Sequence, residues 1–307
     1  MTTSTPASTT LTGPGGRLVA AVLPGAGMLI PSLSWDGHEL LGQRRGVSAY
    51  LEAGKTMGIP LLAPWANRVW PERFTVGGVP VDLGGEHPGL RRDPNGRPIH
   101  GLLAADPGWA IDQVATDRLL ATLDFGARPE LLAAFPFPHR LTYGVTVEAA
   151  ALVLELTVTP TAEVSVPVAH GLHPYLALPG VPRAEWHVAL PARTHLALDD
   201  RGLPTGASER QAAWGGALGA RVFDDAYDGL APGAVFTVSG GGWRIDTTFE
   251  AGYPAGQLFA PGDDAVVCFE PMAAPTNALA TGEGLRLVAP GTVDTARVRI
   301  ALEAAPA

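Results

Sequence analysis

Leu152-Val153-Leu154-Glu155-Leu156-Thr157-Val158-Thr159-Pro160 puts Leu152, Leu154, Leu156 and Val158 two residues apart, with Val153, Glu155, Thr157 and Thr159 between them. Side chains of an extended chain alternate between two faces, so this stretch reads as a half-buried strand. Outward from it the same signal repeats. Upstream, Trp109–Val114, Leu119–Phe125 and Leu141–Ala149 read as strands, with one helical turn or a loop in Ala127–Pro138. Downstream, the candidates are Glu185–Leu190, Arg221–Phe223, Ala234–Val238, Trp243–Phe249, Ala265–Phe269 and Thr292–Glu303. Nearer the N-terminus, Arg17–Leu40 reads as strand, turn, strand, and Trp35-Asp36-Gly37-His38 as a second turn. Phe74–Asp82 reads as a hairpin with Gly77-Gly78 at its tip. Short strands with turn signals every eight to twelve residues predict an all-β sandwich or barrel.

Composition agrees. The chain of 307 residues has 38 Gly and 29 Pro spread without a period, which favours turns over long helices. A hydrophobic content of 46% is ample for one large core. No Ser/Gly linker or solenoid repeat divides it, so residues 13–303 read as one domain. The Thr- and Ser-rich residues 1–12 read as a disordered tail rather than a signal peptide. The apolar stretch Leu18–Leu33 is broken by Pro24, Gly25, Gly27 and Pro31, which argues against a membrane span.

Net charge is −9 and no basic run exceeds a pair of arginines, so nucleic acid is excluded as a partner. A small neutral ligand is the expectation, with no membrane and a monomer or homodimer. The single cysteine, Cys268, excludes an intrachain disulfide and a CxxC metal site, and fits the cytoplasm.

The chemistry centres on His173, in His170-Gly171-Leu172-His173-Pro174-Tyr175, and Glu270, in Val266-Val267-Cys268-Phe269-Glu270-Pro271. Each is followed by a proline, and together they can act as a general acid and a general base. Taken singly, His173 is equally a hydrogen-bonded core histidine and Glu270 a salt-bridged structural acid. Glu270 sits at the end of its apolar strand, sharing a face with Val266 and Cys268, where a carboxylate is costly without a partner or a task. Tyr175 offers an aromatic face for a sugar ring. Pro64-Trp65-Ala66-Asn67-Arg68 and Pro98-Ile99-His100-Gly101 supply polar groups suited to sugar oxygens, Arg68 through its fork of donors. A rim ion pair for Arg68 and a loop position for His100 are the plainer readings. His170 and His173 form H-x-x-H, but Gly171 and Pro174 argue against the helix that would face both rings one way, so no metal is expected.

In this order and spacing, the four segments resemble the aldose 1-epimerase (galactose mutarotase) family. The resemblance runs from roughly Arg17 to Glu303 and includes the Phe135-Pro-Phe-Pro-His139 run. It implies a large antiparallel β-sandwich of the galactose mutarotase-like type and no cofactor. It also implies a sugar substrate, with protonated His173 as acid and ionised Glu270 as base. Asn67, Arg68 and His100 would hold the sugar. Arg221-Val222-Phe223-Asp224-Asp225-Ala226-Tyr227 is similar to the family's aspartate-bearing motif, with Asp224 preferred over Asp225, and Gln257 is a further candidate for a hydroxyl. Leu102 stands where the galactose-specific branch has a second Gly. Two alternatives stay open: a sugar-binding protein without turnover, and an epimerase of hexose 6-phosphates. A glycosidase would need a second carboxylate beside Glu270, and none stands out.

Overall fold

Leu154 pairs with Val145 on one side and Val298 on the other, and Val298 pairs in turn with Phe249. All four are at most 1% exposed. The alternation along Leu152–Val158 is therefore one row of a larger apolar face, each fully buried side chain contributing about 1.5–3 kcal/mol. The computed structural model describes residues 6–304. That face belongs to a nine-stranded sheet ordered Ala110–Val114, Arg118–Asp124, His139–Val147, Ala151–Pro160, Asp294–Ala304, Trp243–Ala251, Ala234–Gly240, His187–Leu190 and Trp214–Ala217.

Against it packs a seven-stranded sheet in the order Pro204–Gln211, Arg193–Leu198, Phe223–Asp228, Ala255–Ala260, Cys268–Met272, Gly171–Leu172 and Leu61–Leu62. Phe236 of the first sheet meets Phe269 of the second at 5.5 Å between ring centroids, and one continuous core joins the two layers. The result is a large antiparallel β-sandwich. A four-stranded sheet from Thr9–Thr12 to His38–Glu39 flanks it.

The two glycine-tipped turns form as expected. Gly77 and Gly78 both adopt positive φ between Val76 and Val79, and Asp36 and Gly37 do the same between Trp35 and His38. Ala127–Pro138 contains one short helix, Pro129–Leu132. Among the described residues the one helix longer than a single turn is Gly46–Ala53. Among the described residues no helix is long and apolar enough to cross a membrane.

Three expectations are corrected. Thr9–Thr12 is not disordered tail: it pairs with Val19–Val22, and Leu11 is fully buried. Residues 1–5 lie outside the described residues. The strand placed at Arg221–Phe223 runs instead over Phe223–Asp228, because Asp224 and Asp225 are ladder residues rather than a solvated turn. The strand placed at Ala265–Phe269 runs over Cys268–Met272. Val266 and Val267 precede it in a buried loop, Val267 bridging to Leu176.

Candidate active site

Because its strand begins later than expected, Glu270 is a mid-strand residue in the centre of the seven-stranded sheet. The alternation sends Phe269 into the core and Cys268, Glu270 and Met272 to the face turned away from the nine-stranded sheet. Gln257 lies directly across from Glu270, and Ala226 across from Gln257. Asp224, two residues from Ala226, shares that face, and Gln257 Nε2 donates to its Oδ1 at 2.7 Å. Asp225 points the opposite way, where it accepts from the Tyr227 hydroxyl at 3.3 Å and sits 3.6 Å from His195 Nε2.

His173 reaches this face through Gly171. A side chain at Gly171 would lie 2.6 Å from the Pro271 carbonyl oxygen and 2.8 Å from Ala66 Cβ. Only glycine lets the short strand Gly171–Leu172 press against Cys268–Met272. Two residues on, His173 Nε2 stands 3.2 Å from Glu270 Oε1, with the two side chains 7% and 3% exposed.

Tyr175 braces the imidazole. The two rings stack at 4.3 Å and 9°, and the Tyr175 hydroxyl lies 2.6 Å from Thr56 Oγ1 and 3.2 Å from His173 Nε2. The Arg44 guanidinium also lies over the Tyr175 ring, at 5.0 Å, and pairs with Asp264. Tyr175 is only 3% exposed, so the expectation that its face stacks on a sugar is corrected: that face is spent on His173. The half-buried ring beside His173 is Phe259, edge-on at 5.9 Å.

Asn67 and His100 lock two loops together. The Asn67 backbone N–H donates to His100 Nδ1 at 3.2 Å, and the His100 N–H donates to the Asn67 carbonyl at 3.0 Å. Both residues have left-handed backbones, with φ of 56° and 61°, a conformation Asn and His adopt more readily than most. An accepting Nδ1 leaves Nε2 as the protonated nitrogen of His100. The His100 ring meets His173 edge-on at 5.8 Å. Arg68 donates through Nε to Asp93 at 2.7 Å and through Nη1 to Asn67 Oδ1 at 3.1 Å, leaving its other N–H groups free.

Burial dominates the electrostatics. It pushes Glu270 well above the usual carboxylate range; the Asp224 charge adds to the shift and Arg68 opposes it. Burial, with His100 and Arg44 nearby, pushes His173 well below the usual histidine range. His100 falls to about 3 through burial and the Arg68 charge. The shifts of His173 and Glu270 both disfavour the charged forms that the sequence reading assigns to them.

His170 lies elsewhere, edge-on to Tyr253, and burial lowers it to about 4. Among the described residues no group of three His, Cys, Asp or Glu side chains is placed to hold a metal. Asp93, Thr56, Arg44 and Phe259 escaped the sequence reading. Asp93 alone had a local signal, the Asp93-Pro94-Asn95-Gly96 turn, in which its Oδ1 accepts from the N–H groups of Asn95 and Arg97.

A profile of the aldose 1-epimerase family matches residues 8–301, nearly the whole chain. The chain belongs to the aldose 1-epimerase family. A comparison with curated proteins finds no match. Solved structures are similar in fold at low identity. A protein of Synechocystis sp. PCC 6803 is 21% identical, with 99% of this chain and 98% of that one aligned at a TM-score of 0.80. A galactose mutarotase-like protein of Clostridium acetobutylicum is 16% identical over 94% of both chains, at 0.80. Galactose 1-epimerase of Lactobacillus acidophilus NCFM is 15% identical over 97% of this chain and 95% of that one, at 0.73.

Proposed function

We propose that the protein interconverts the α and β anomers of a neutral aldose, with His173 and Glu270 as its acid/base pair. The observation that carries this reading is the buried 3.2 Å contact between them, on a sheet face that also holds Gln257 and Asp224. Anomer exchange needs one proton delivered to the ring oxygen and one removed from the anomeric hydroxyl. Those two oxygens are bonded to the same carbon, so two groups in direct contact can address both at once.

The reaction requires the pair to hold one proton and leave one basic site, and a contacting imidazole and carboxyl can do both. As the anomeric hydroxyl hydrogen-bonds to Glu270, it stabilises the carboxylate and the proton passes to His173. His173 then protonates the ring oxygen while Glu270 accepts the hydroxyl proton, and the bond from C1 to the ring oxygen breaks. The free aldehyde turns about C1–C2, and closure on the other face reverses both transfers. Each proton transfer is worth roughly 10²–10⁴-fold. Arg68 and His100 Nε2 donate to the sugar, Asp224 and Gln257 meet its hydroxyls, Asn67 holds Arg68 and His100 in place, and Phe259 packs against its carbon face. The activity fits the cytoplasm.

The test is polarimetry on freshly dissolved pure anomers, with wild type, His173→Asn and Glu270→Gln. Wild type should speed the approach to equilibrium, and each variant should lose at least ~10²-fold in turnover. Wild-type rates in His173→Asn would overturn the assignment.

A further inference from the structure

We propose that a hollow beside the acid/base site binds a second sugar ring, so that the preferred substrate is a reducing disaccharide. The inference rests on the epimerase reading for its direction. The hollow has a volume of about 370 Å³ and lies along the same sheet face. From Glu270 the cross-strand row runs through Gln257 and Ala226 to Leu196, which forms part of the hollow's floor. Three strand spacings put Leu196 about 14 Å from Glu270, one ring beyond a sugar held at the pair. Asp228 lines the hollow four residues along the strand from Asp224, on the same alternating face. On the other side, the Asn277 N–H donates to the Arg68 carbonyl at 3.1 Å, which ties the hollow's wall to the segment carrying Arg68.

The lining chemistry selects the occupant. Leu196, Pro204 and Pro275 give an apolar floor. Asp228, Glu283 and Asn277 surround it with groups that exchange hydrogen bonds with hydroxyls. Thr276, 4% exposed, adds a hydroxyl with no hydrogen-bond partner among the described residues. Among the described residues no Lys, Arg or His lines the hollow, and two carboxylates do, which disfavours phosphates and sugar acids. A neutral ring with one apolar and several hydroxylated edges matches this lining. Binding energy gained there, remote from the reacting carbon, can be spent on the chemical step.

The test compares fresh α-D-glucose with maltose, lactose and isomaltose by polarimetry, in wild type, Ala207→Trp and Thr276→Val. Ala207 lines the hollow and is exposed, so a tryptophan there fills the space without touching the core. At least one disaccharide should exceed glucose in kcat/KM by about tenfold. Ala207→Trp should abolish that advantage and leave glucose unchanged, and Thr276→Val should reduce it. Turnover of glucose with no disaccharide preferred, or a preference indifferent to Ala207→Trp, overturns the subsite. Calorimetric titration of the same disaccharides separates the two readings. Binding that Ala207→Trp removes, in a protein that epimerises no sugar, upholds the hollow and sinks the epimerase reading. Neither binding nor turnover overturns both.

Discussion

Asp224 and Asp225 are neighbours in the chain and lie on opposite faces of one sheet. Asp224 accepts from Gln257 on the face that carries Glu270, while Asp225 accepts from Tyr227 and faces His195 on the other. A one-residue step along a strand reverses the side chain, so the two acids have unrelated surroundings. Asp224→Asn should lower kcat/KM by roughly 5–150-fold, the cost of a lost charged hydrogen-bonding group in a binding site. Asp225→Asn should leave kcat/KM within about twofold, as expected for a polar change remote from the reacting groups. Equal losses in the two variants would contradict the facing seen here.

Gly171 tests whether close approach of two strands makes the acid/base pair. Its missing side chain is what keeps Pro271 O and Ala66 within reach, and both are backbone or rigid atoms that cannot swing away. Gly171→Ala should cost about 1–3 kcal/mol of stability, the usual penalty of overpacking. Activity should fall by more than tenfold in the protein that remains folded, since His173 must retreat from Glu270. Denaturant unfolding and anomer exchange, measured on the same preparation, check both halves. A variant with reduced stability and full activity would detach the pair's geometry from this glycine.

The architecture was largely legible in the residues. Leu152–Val158 alternates because it is buried on one face, and Gly77-Gly78 announces a hairpin by its backbone freedom. Pro204–Gln211 escaped because it is an edge strand exposed along most of its length, with no apolar alternation to read. Val266 and Val267 misled in the other direction: they are apolar because a covering loop is buried, so the apolar run began before the strand did. In the site, His173 and Glu270 stand out by their Pro-flanked settings. The Arg68–Asp93 pair joins residues 25 apart through loop closure, and the stacking of Tyr175 on His173 depends on side-chain packing. Neither leaves a periodic trace.

Burial of three histidines predicts an acid-labile fold. His100 is lowered to about 3, His139 to about 4 and His170 to about 4, each chiefly by burial. An unfolded chain protonates these groups near the ordinary value of 6.5, while the folded one does not. The unfolded state therefore binds more protons as pH falls from about 6.5 toward 4, and stability drops through that window. Each group accounts for up to about 3 kcal/mol by pH 4. Urea midpoints measured from pH 7 to pH 4 should fall steeply, and His139→Gln should flatten the slope. A midpoint independent of pH over that window would contradict neutral burial.

The pH profile of turnover tests the proposed acid/base roles of His173 and Glu270. In the proposed reaction the active form carries one proton between them, so activity should be lost both when a second proton enters and when the first leaves. A second proton must go to His173, whose pKa burial holds well below the usual histidine value; the acid limb should therefore lie below 6.5. The first proton must leave Glu270, held well above the usual carboxylate value by burial and by Asp224, so the alkaline limb lies far above 4.5. Two independent residues of ordinary pKa would give the reverse assignment, with Glu270 on the acid limb and His173 on the alkaline one. Asp224→Asn separates the cases. Removing that charge lowers the Glu270 pKa, so the alkaline limb should move down while the acid limb stays. Profiles of kcat/KM for wild type and Asp224→Asn on one anomerising sugar make the measurement. An acid limb that shifts while the alkaline limb holds still would show that the proton sits on His173 in the resting site.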